Sequence, residues 1–228
     1  MPLYSLLLML TIGPPLILSF DKKLQFYRQW KYLIPSLFII GMIYILFDIW
    51  FTNLGVWGFN PLHHSSLRLF GLPIEEWLFF LIIPYASIFL HESLILYFPT
   101  LQLSEKITRV LTIILIALFT LLAVVYMDKI YTLYMSTLMA VALSVSLFDS
   151  SQVIRTFFIT FIFLLIPFVV VNGLLTGSFA GKEVVWYNNA ENLGIRFLTI
   201  PIEDFGYAFS LLLLNLMLAA RLKQRAHE

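Results

Sequence analysis

Apolar runs separated by short polar breaks set the pattern of this chain. Crossing a bilayer takes about 20 largely apolar residues in a helix. Seven runs approach or reach that length: Leu3–Phe20, Leu33–Phe51, Pro73–Phe98, Ile107–Met127, Ile130–Leu147, Ile154–Leu175 and Ile200–Leu222. The breaks between them are Asp21–Lys31, Thr52–Leu72, Asp128-Lys129, Asp149–Gln152 and Thr176–Thr199, with a further one before Ile107. The break at Asp128-Lys129 is the shortest, and two helices joined by a tight turn suit the stretch from Ile107 to Leu147 better than one helix. The pattern predicts an all-α integral membrane protein of seven transmembrane helices.

Composition agrees with that solvent. Only 12% of the residues are charged and 61% are hydrophobic, whereas a soluble domain carries about 25% charged residues. The net charge of +1 gives no basic surface for a nucleic acid. The chain has no cysteine, which removes disulfides, thiolate nucleophiles and Cys-ligated zinc or iron–sulfur sites together. The apolar start lacks a basic leader and reads as a first span, not a cleaved signal.

Charge asymmetry orients the spans. If they alternate, Lys22, Lys23, Arg28, Lys31, Lys106, Arg109, Arg155, Arg221, Lys223 and Arg225 share one side, against Arg68, Lys129, Lys182 and Arg196 on the other. The positive-inside rule makes the first group cytoplasmic. The N-terminus is then outside the membrane and the C-terminus is cytoplasmic.

Sliding the sequence against itself by 128 positions reveals a repeat. Val56, Asn60, Arg68, Pro73, Ile74 and Glu75 fall on Val184, Asn188, Arg196, Pro201, Ile202 and Glu203, and Glu76 falls on Asp204. With a small gap upstream, Asp48 and Thr52 lie over Asn172 and Thr176. The expected organisation is a first repeat at residues 1–100, a connector helix at 101–128 and a second repeat at 129–228. Four spans separate equivalent helices, so the repeats are parallel and related by an axis along the membrane normal. Both Arg…Pro-Ile-acid-acid motifs should then face each other at one depth.

A proline and two acids at a helix start have a structural explanation, because both suit the first turn and its positive dipole end. Their recurrence with an arginine five residues ahead, inside a membrane protein, points to function. Successive residues differ by about 100° around a helix, so only one acid of each pair can face the interior. The duplicated Glu75 and Glu203 are expected to be that pair and to handle protons. Glu76 and Asp204 are expected to assist, with Arg68 and Arg196 holding neighbouring acids ionised. Asp48, Asn60 and Asn188 are expected to support them by hydrogen bonding. Trp50, Trp57, Trp77, Phe79, Trp186, Tyr187, Phe205 and Tyr207 are candidate substrate-binding rings, able to stabilise a cation with their faces as well as to populate the interfacial belt. His63-His64 are neighbours in a loop, and no metal site is expected there. Asn215 is expected to bond between helices, and Pro84 to kink its span.

The text Arg68-Leu69-Phe70-Gly71-Leu72-Pro73-Ile74-Glu75-Glu76, repeated as Arg196-Phe197-Leu198-Thr199-Ile200-Pro201-Ile202-Glu203-Asp204, resembles the lycopene cyclases of the heterodimeric type, in the form that fuses both three-span subunits in one chain. The resemblance covers nearly the whole chain. It implies an enzyme of carotenoid biosynthesis that takes lycopene from the bilayer and closes its linear ψ-ends to β-ionone rings. That isomerisation needs no net electron transfer, and the family is taken to work without a cofactor. The chain carries no Gly-x-Gly-x-x-Gly fingerprint of a flavin enzyme. Two other readings stay open on the residues: a membrane prenyltransferase gripping a diphosphate through Mg²⁺, and a carotenoid-binding protein without catalysis. The last helix holds no lysine for a retinal Schiff base.

Overall fold

The computed structural model describes residues 1–179 and 181–226. Seven α-helices occur among them, at α1 (Leu3–Leu18), α2 (Trp30–Leu54), α3 (Ile74–Tyr97), α4 (Glu105–Val125), α5 (Ile130–Ser146), α6 (Ile154–Leu175) and α7 (Glu203–Arg225). Each falls on one of the seven apolar runs. Five of the helical segments are long and apolar enough to cross a membrane, and α1 and α5 are shorter apolar helices. The Asp128-Lys129 break is a true chain reversal, since α4 ends at Val125 and α5 begins at Ile130.

Local chemistry explains the helix ends. Gly55 closes α2 in the left-handed conformation, at φ 72°, where a residue without Cβ meets no steric penalty. Ser104 caps α4 by accepting the Ile107 N–H, which satisfies one orphan donor of the first turn. Pro73 precedes α3, and Glu75 and Glu76 occupy its first turn.

Helices α2, α3 and α7 pack against each other at the centre, α1 lies against α3, and α5 lies against α7. Polar pairs lock them where lipid offers no alternative partner. Ser36 donates to the Asn215 carbonyl at 2.8 Å, Tyr44 donates to Ser210 at 2.9 Å, and His91 lies 2.7 Å from the Thr160 hydroxyl. Ser36 also lies 3.0 Å from the Asn215 side-chain Oδ1, which supplies the interhelical role expected of Asn215. Pro84 lies within α3. Helix α4, the expected connector, is peripheral and buries only Thr108 and Thr112.

Between α2 and α3, and again between α6 and α7, the chain makes small strands. Strand β1 (Trp57–Phe59) pairs antiparallel with β4 (Val185–Tyr187), in the register Trp57–Tyr187, Gly58–Trp186 and Phe59–Val185. Two hairpins lead into the acidic helices: β2 (Arg68–Leu69) with β3 (Leu72–Pro73), and β5 (Arg196–Phe197) with β6 (Ile200–Pro201). Equivalent positions make equivalent bonds. The Asn60 N–H donates to the Val184 carbonyl at 2.8 Å, and the Asn188 N–H donates to the Val56 carbonyl at the same 2.8 Å. Each pair of positions is the other shifted by 128, so the seam between the segments has local two-fold symmetry.

Candidate active site

A cavity of about 360 Å³ opens between α1, α3, α6 and α7, capped at one end by Trp57, Phe59 and Tyr187 from the loop strands. That volume lies within the range of small-molecule pockets. Its walls run from Tyr4 to Leu18 on α1 and from Glu76 to Leu90 on α3. Each stretch spans fourteen steps, or about 21 Å at the helical rise. The lining is apolar along most of this length, and its carboxyls Asp48, Glu76 and Asp204 gather at the loop end. The site is an apolar channel with acids at its head.

The two motif acids meet there because each sits in the first turn of its helix at the same end of the molecule. Glu76 is 8% exposed and Asp204 is 5% exposed. Tyr4 donates to Glu76 at 2.5 Å, and Tyr131 donates to Asp204 at 2.5 Å. Asp204 also accepts from Tyr187 at 3.0 Å. Burial pushes the Tyr187 phenol well above its usual range, and the nearby Asp204 carboxyl pushes it further, so Tyr187 stays a donor at neutral pH. Asp48, on α2, accepts from the Trp57 indole at 2.5 Å and from Thr52 at 3.4 Å. Its other oxygen is buried without a protein partner. Asp48 and Glu76 line the same end of the cavity, one from α2 and one from α3.

The expected orientation within each acid pair is reversed. Glu75 and Glu203 are buried but point away from the cavity, into the loops that precede their helices. Glu75 accepts from Ser5 at 2.6 Å, from the Ser65 N–H at 2.8 Å and from the Ser65 hydroxyl at 3.0 Å. Glu203 accepts from Thr132 at 2.7 Å and from the Leu193 N–H at 2.8 Å. The first acid of each pair therefore ties a loop to the preceding repeat helix. The 100° step then carries the second acid into the cavity.

The arginines differ from expectation too. The one ion pair among the described residues joins Arg221 to Asp149 at 3.1 Å. Arg68 donates to the Gly71 carbonyl at 3.2 Å and lies 3.1 Å from His64. Arg196 donates to the Thr199 carbonyl at 2.7 Å and to Asn189 at 2.6 Å. Hairpin register explains this, since each arginine is paired with its motif proline and its guanidinium folds back over the turn. Arg196 forms no ion pair with Asp204, and its guanidinium lies 5.7 Å from the ring of Tyr187, which donates to that acid.

Among the expected rings, Trp57, Phe79, Tyr187 and Tyr207 line the cavity, joined there by Phe59. The others pack elsewhere. Trp50 is 49% exposed and stacks on Phe51. Trp77 donates to the Leu69 carbonyl at 3.1 Å, Trp186 lies over Gly58, and Phe205 packs on Phe168 and Phe197. Asn60 and Asn188 shape their loops, accepting from the Leu62 and Ala190 N–H groups at 3.1 and 3.0 Å. These are Asx turns, and neither side chain reaches an acid.

Sequence reasoning missed Tyr4, Ser5, Tyr131 and Thr132, which hold all four motif acids. A signal existed. Leu3-Tyr4-Ser5-Leu6 lies over Ile130-Tyr131-Thr132-Leu133 at a separation of 127, one short of the main repeat. Asn172, the counterpart of Asp48, also lines the cavity.

Chemically, the site offers carboxyl groups with O–H and N–H donors, aromatic faces and a largely apolar lining. No curated protein and no solved structure matches the chain. The family described as Lycopene cyclase matches it twice, over residues 1–94 and again over residues 128–222. Two matched segments that carry one acidic motif each, and meet at one apolar cavity, make this chain a member of the lycopene cyclase family in tandem, fused form.

Proposed function

We propose that this protein closes the linear ψ-ends of lycopene to β-ionone rings by redox-neutral acid–base chemistry within the membrane. The observation that carries the reading is the presence of Glu76 and Asp204, one from each motif, at the head of one long apolar channel. Cyclisation requires a proton at the terminal double bond, attack by the neighbouring double bond on the resulting tertiary cation, and loss of a ring proton. Carboxyl groups in an apolar site can hold different protonation states and so serve both ends of that sequence. The rings of Trp57, Tyr187 and Tyr207 stabilise the cation, and exclusion of water prevents its capture as an alcohol. Carbocation chemistry of this kind needs no cofactor.

The membrane arrangement in this reading has seven spans, with the N-terminus outside and the C-terminus cytoplasmic. It has parallel repeats at 1–100 and 129–228, joined by a connector at 101–128. The charge asymmetry of the loops supports the orientation, and the symmetric bonds across the β1–β4 seam support parallel repeats. The substrate slides in from the bilayer, its polyene lying along α3.

Expression in a host that accumulates lycopene, with pigments separated by chromatography, tests the reading. The expected products are γ- and β-carotene. Lycopene recovered unchanged, from cells that contain the folded protein, would overturn it.

A further inference from the structure

The two acids at the channel head do not have equivalent surroundings. We infer that the Asp48–Glu76 pair supplies the proton that starts the cyclisation and that Asp204 accepts the proton that ends it. This assignment rests on the cyclase reading above.

Two pairs of equivalent positions differ, and each difference changes proton chemistry in the same direction. In the first half, Asp48 stands where the second half has Asn172, so two carboxyl groups, Asp48 and Glu76, share that side of the channel head. Both are buried, at 1% and 8% exposure, and among the described residues no cation pairs with either. Two carboxylates in such surroundings repel, and a pair of this kind retains one proton. The Asp48 oxygen that has no protein partner suits that shared proton. Glu76 is the member on the channel wall helix, and Asp48 acts through it as a positioning residue.

In the second half the balance is opposite. Asn172 contributes no exchangeable acid beside Asp204. Tyr187 replaces Phe59, so Asp204 receives an O–H donor on each oxygen, from Tyr131 at 2.5 Å and from Tyr187 at 3.0 Å. Donors on both oxygens stabilise the charged carboxylate, which is the state a base requires. Glu76 receives one such bond, from Tyr4.

The steps balance. The Glu76 O–H bond breaks, and its proton forms a C–H bond at the terminal double bond, leaving a tertiary cation. The π pair of the neighbouring double bond forms the ring C–C bond and moves the cation into the ring. A ring C–H bond then breaks, its electron pair becomes the ring double bond, and the proton passes to Asp204. Return of one proton from Asp204 to the pair resets the site, and the product is an isomer of the substrate.

The test is turnover of lycopene in D₂O by the full chain in lipid vesicles, read by mass spectrometry and NMR of product and recovered substrate. The wild type should place one deuterium in each new ring. A wild type that forms no ring overturns the cyclase reading itself, before any variant is considered. Glu76→Gln should form no ring and leave recovered lycopene free of deuterium. Asp48→Asn should lower kcat at least roughly 100-fold, the scale of general acid catalysis, with KM nearly unchanged. Asp204→Asn should still protonate, giving deuterium in recovered lycopene, misplaced ring double bonds or hydroxylated rings. Tyr187→Phe keeps the carboxylate and its Tyr131 bond, and should raise the ratio of deuterium exchange to ring formation. Deuterium uptake by Glu76→Gln overturns the assignment. So does an Asp204→Asn protein that binds lycopene but neither exchanges nor cyclises, or an unchanged ratio in Tyr187→Phe.

Discussion

Tyr187 donates its hydroxyl to Asp204 at 3.0 Å, although it arrives on a loop strand and its counterpart in the first half is Phe59. A hydrogen bond to a charged group contributes about 1.5–3 kcal/mol. If most of that is expressed in the transition state, Tyr187→Phe lowers turnover by roughly 10- to 100-fold. Steady-state pigment formation in vesicles checks this, and turnover equal to the wild type would remove Tyr187 from the reaction.

Glu75 and Glu203 hold loops, so their loss should register mainly in stability. Glu75→Gln weakens the bonds from Ser5 and Ser65, and Glu203→Gln those from Thr132 and Leu193. Each should cost about 1–3 kcal/mol and leave measurable cyclisation, whereas Glu76→Gln should leave none. Thermal unfolding in detergent, set beside pigment yield, separates the two classes. Complete loss of activity in a fully stable Glu75→Gln protein would restore the first acid to the chemistry.

Ala86 lines the channel between its acidic head and its far end. A tryptophan there fills the bore without touching a carboxyl. Ala86→Trp should abolish turnover of full-length lycopene while the protein unfolds at the wild-type temperature. Normal turnover would mean that the polyene lies elsewhere.

Treatment with EDTA should leave activity intact. Asp48, Glu76 and Asp204 accept from Trp57, Tyr4, Tyr131 and Tyr187, and hydrogen-bond donors of this kind suit free carboxyl groups better than metal ligands. Activity lost to chelation and restored by Mg²⁺ would favour diphosphate chemistry.

Gly58 sits at the centre of the β1–β4 seam, where an added Cβ would clash with the Trp186 ring. Gly58→Val should push the indole away and loosen the cap over the acids, lowering both the melting temperature and the yield of cyclised pigment. Gly58→Val combined with Trp186→Ala should recover the melting temperature if the clash is the cause.

The helices were legible because seven apolar runs and their charged breaks leave few alternatives, and even the Asp128-Lys129 reversal could be read. The motif acids were legible because they recur. Their facing was not, since the 100° step says that one acid points inward without saying which. Ser65 and Leu193 decide it with backbone N–H groups, which any residue type would supply. The arginines misled because nearness in sequence suggested ion pairs, whereas hairpin register turns Arg68 and Arg196 onto turn carbonyls. Tyr4 and Tyr131 stayed hidden behind a one-residue slip in the repeat.

The placement of Glu76 and Asp204 on one cavity carries a consequence for the order of products. On the cyclase reading both acidic motifs serve this one cavity, and a linear carotenoid closed at both ends must present each end in turn. Each ring then needs its own visit, with the molecule withdrawn, reversed in the lipid and presented again. A half-finished pigment is therefore a free species between visits. Its abundance is set by how quickly it finds the channel a second time against fresh lycopene, which makes the ratio of one-ringed to two-ringed product a property of substrate supply as much as of the protein.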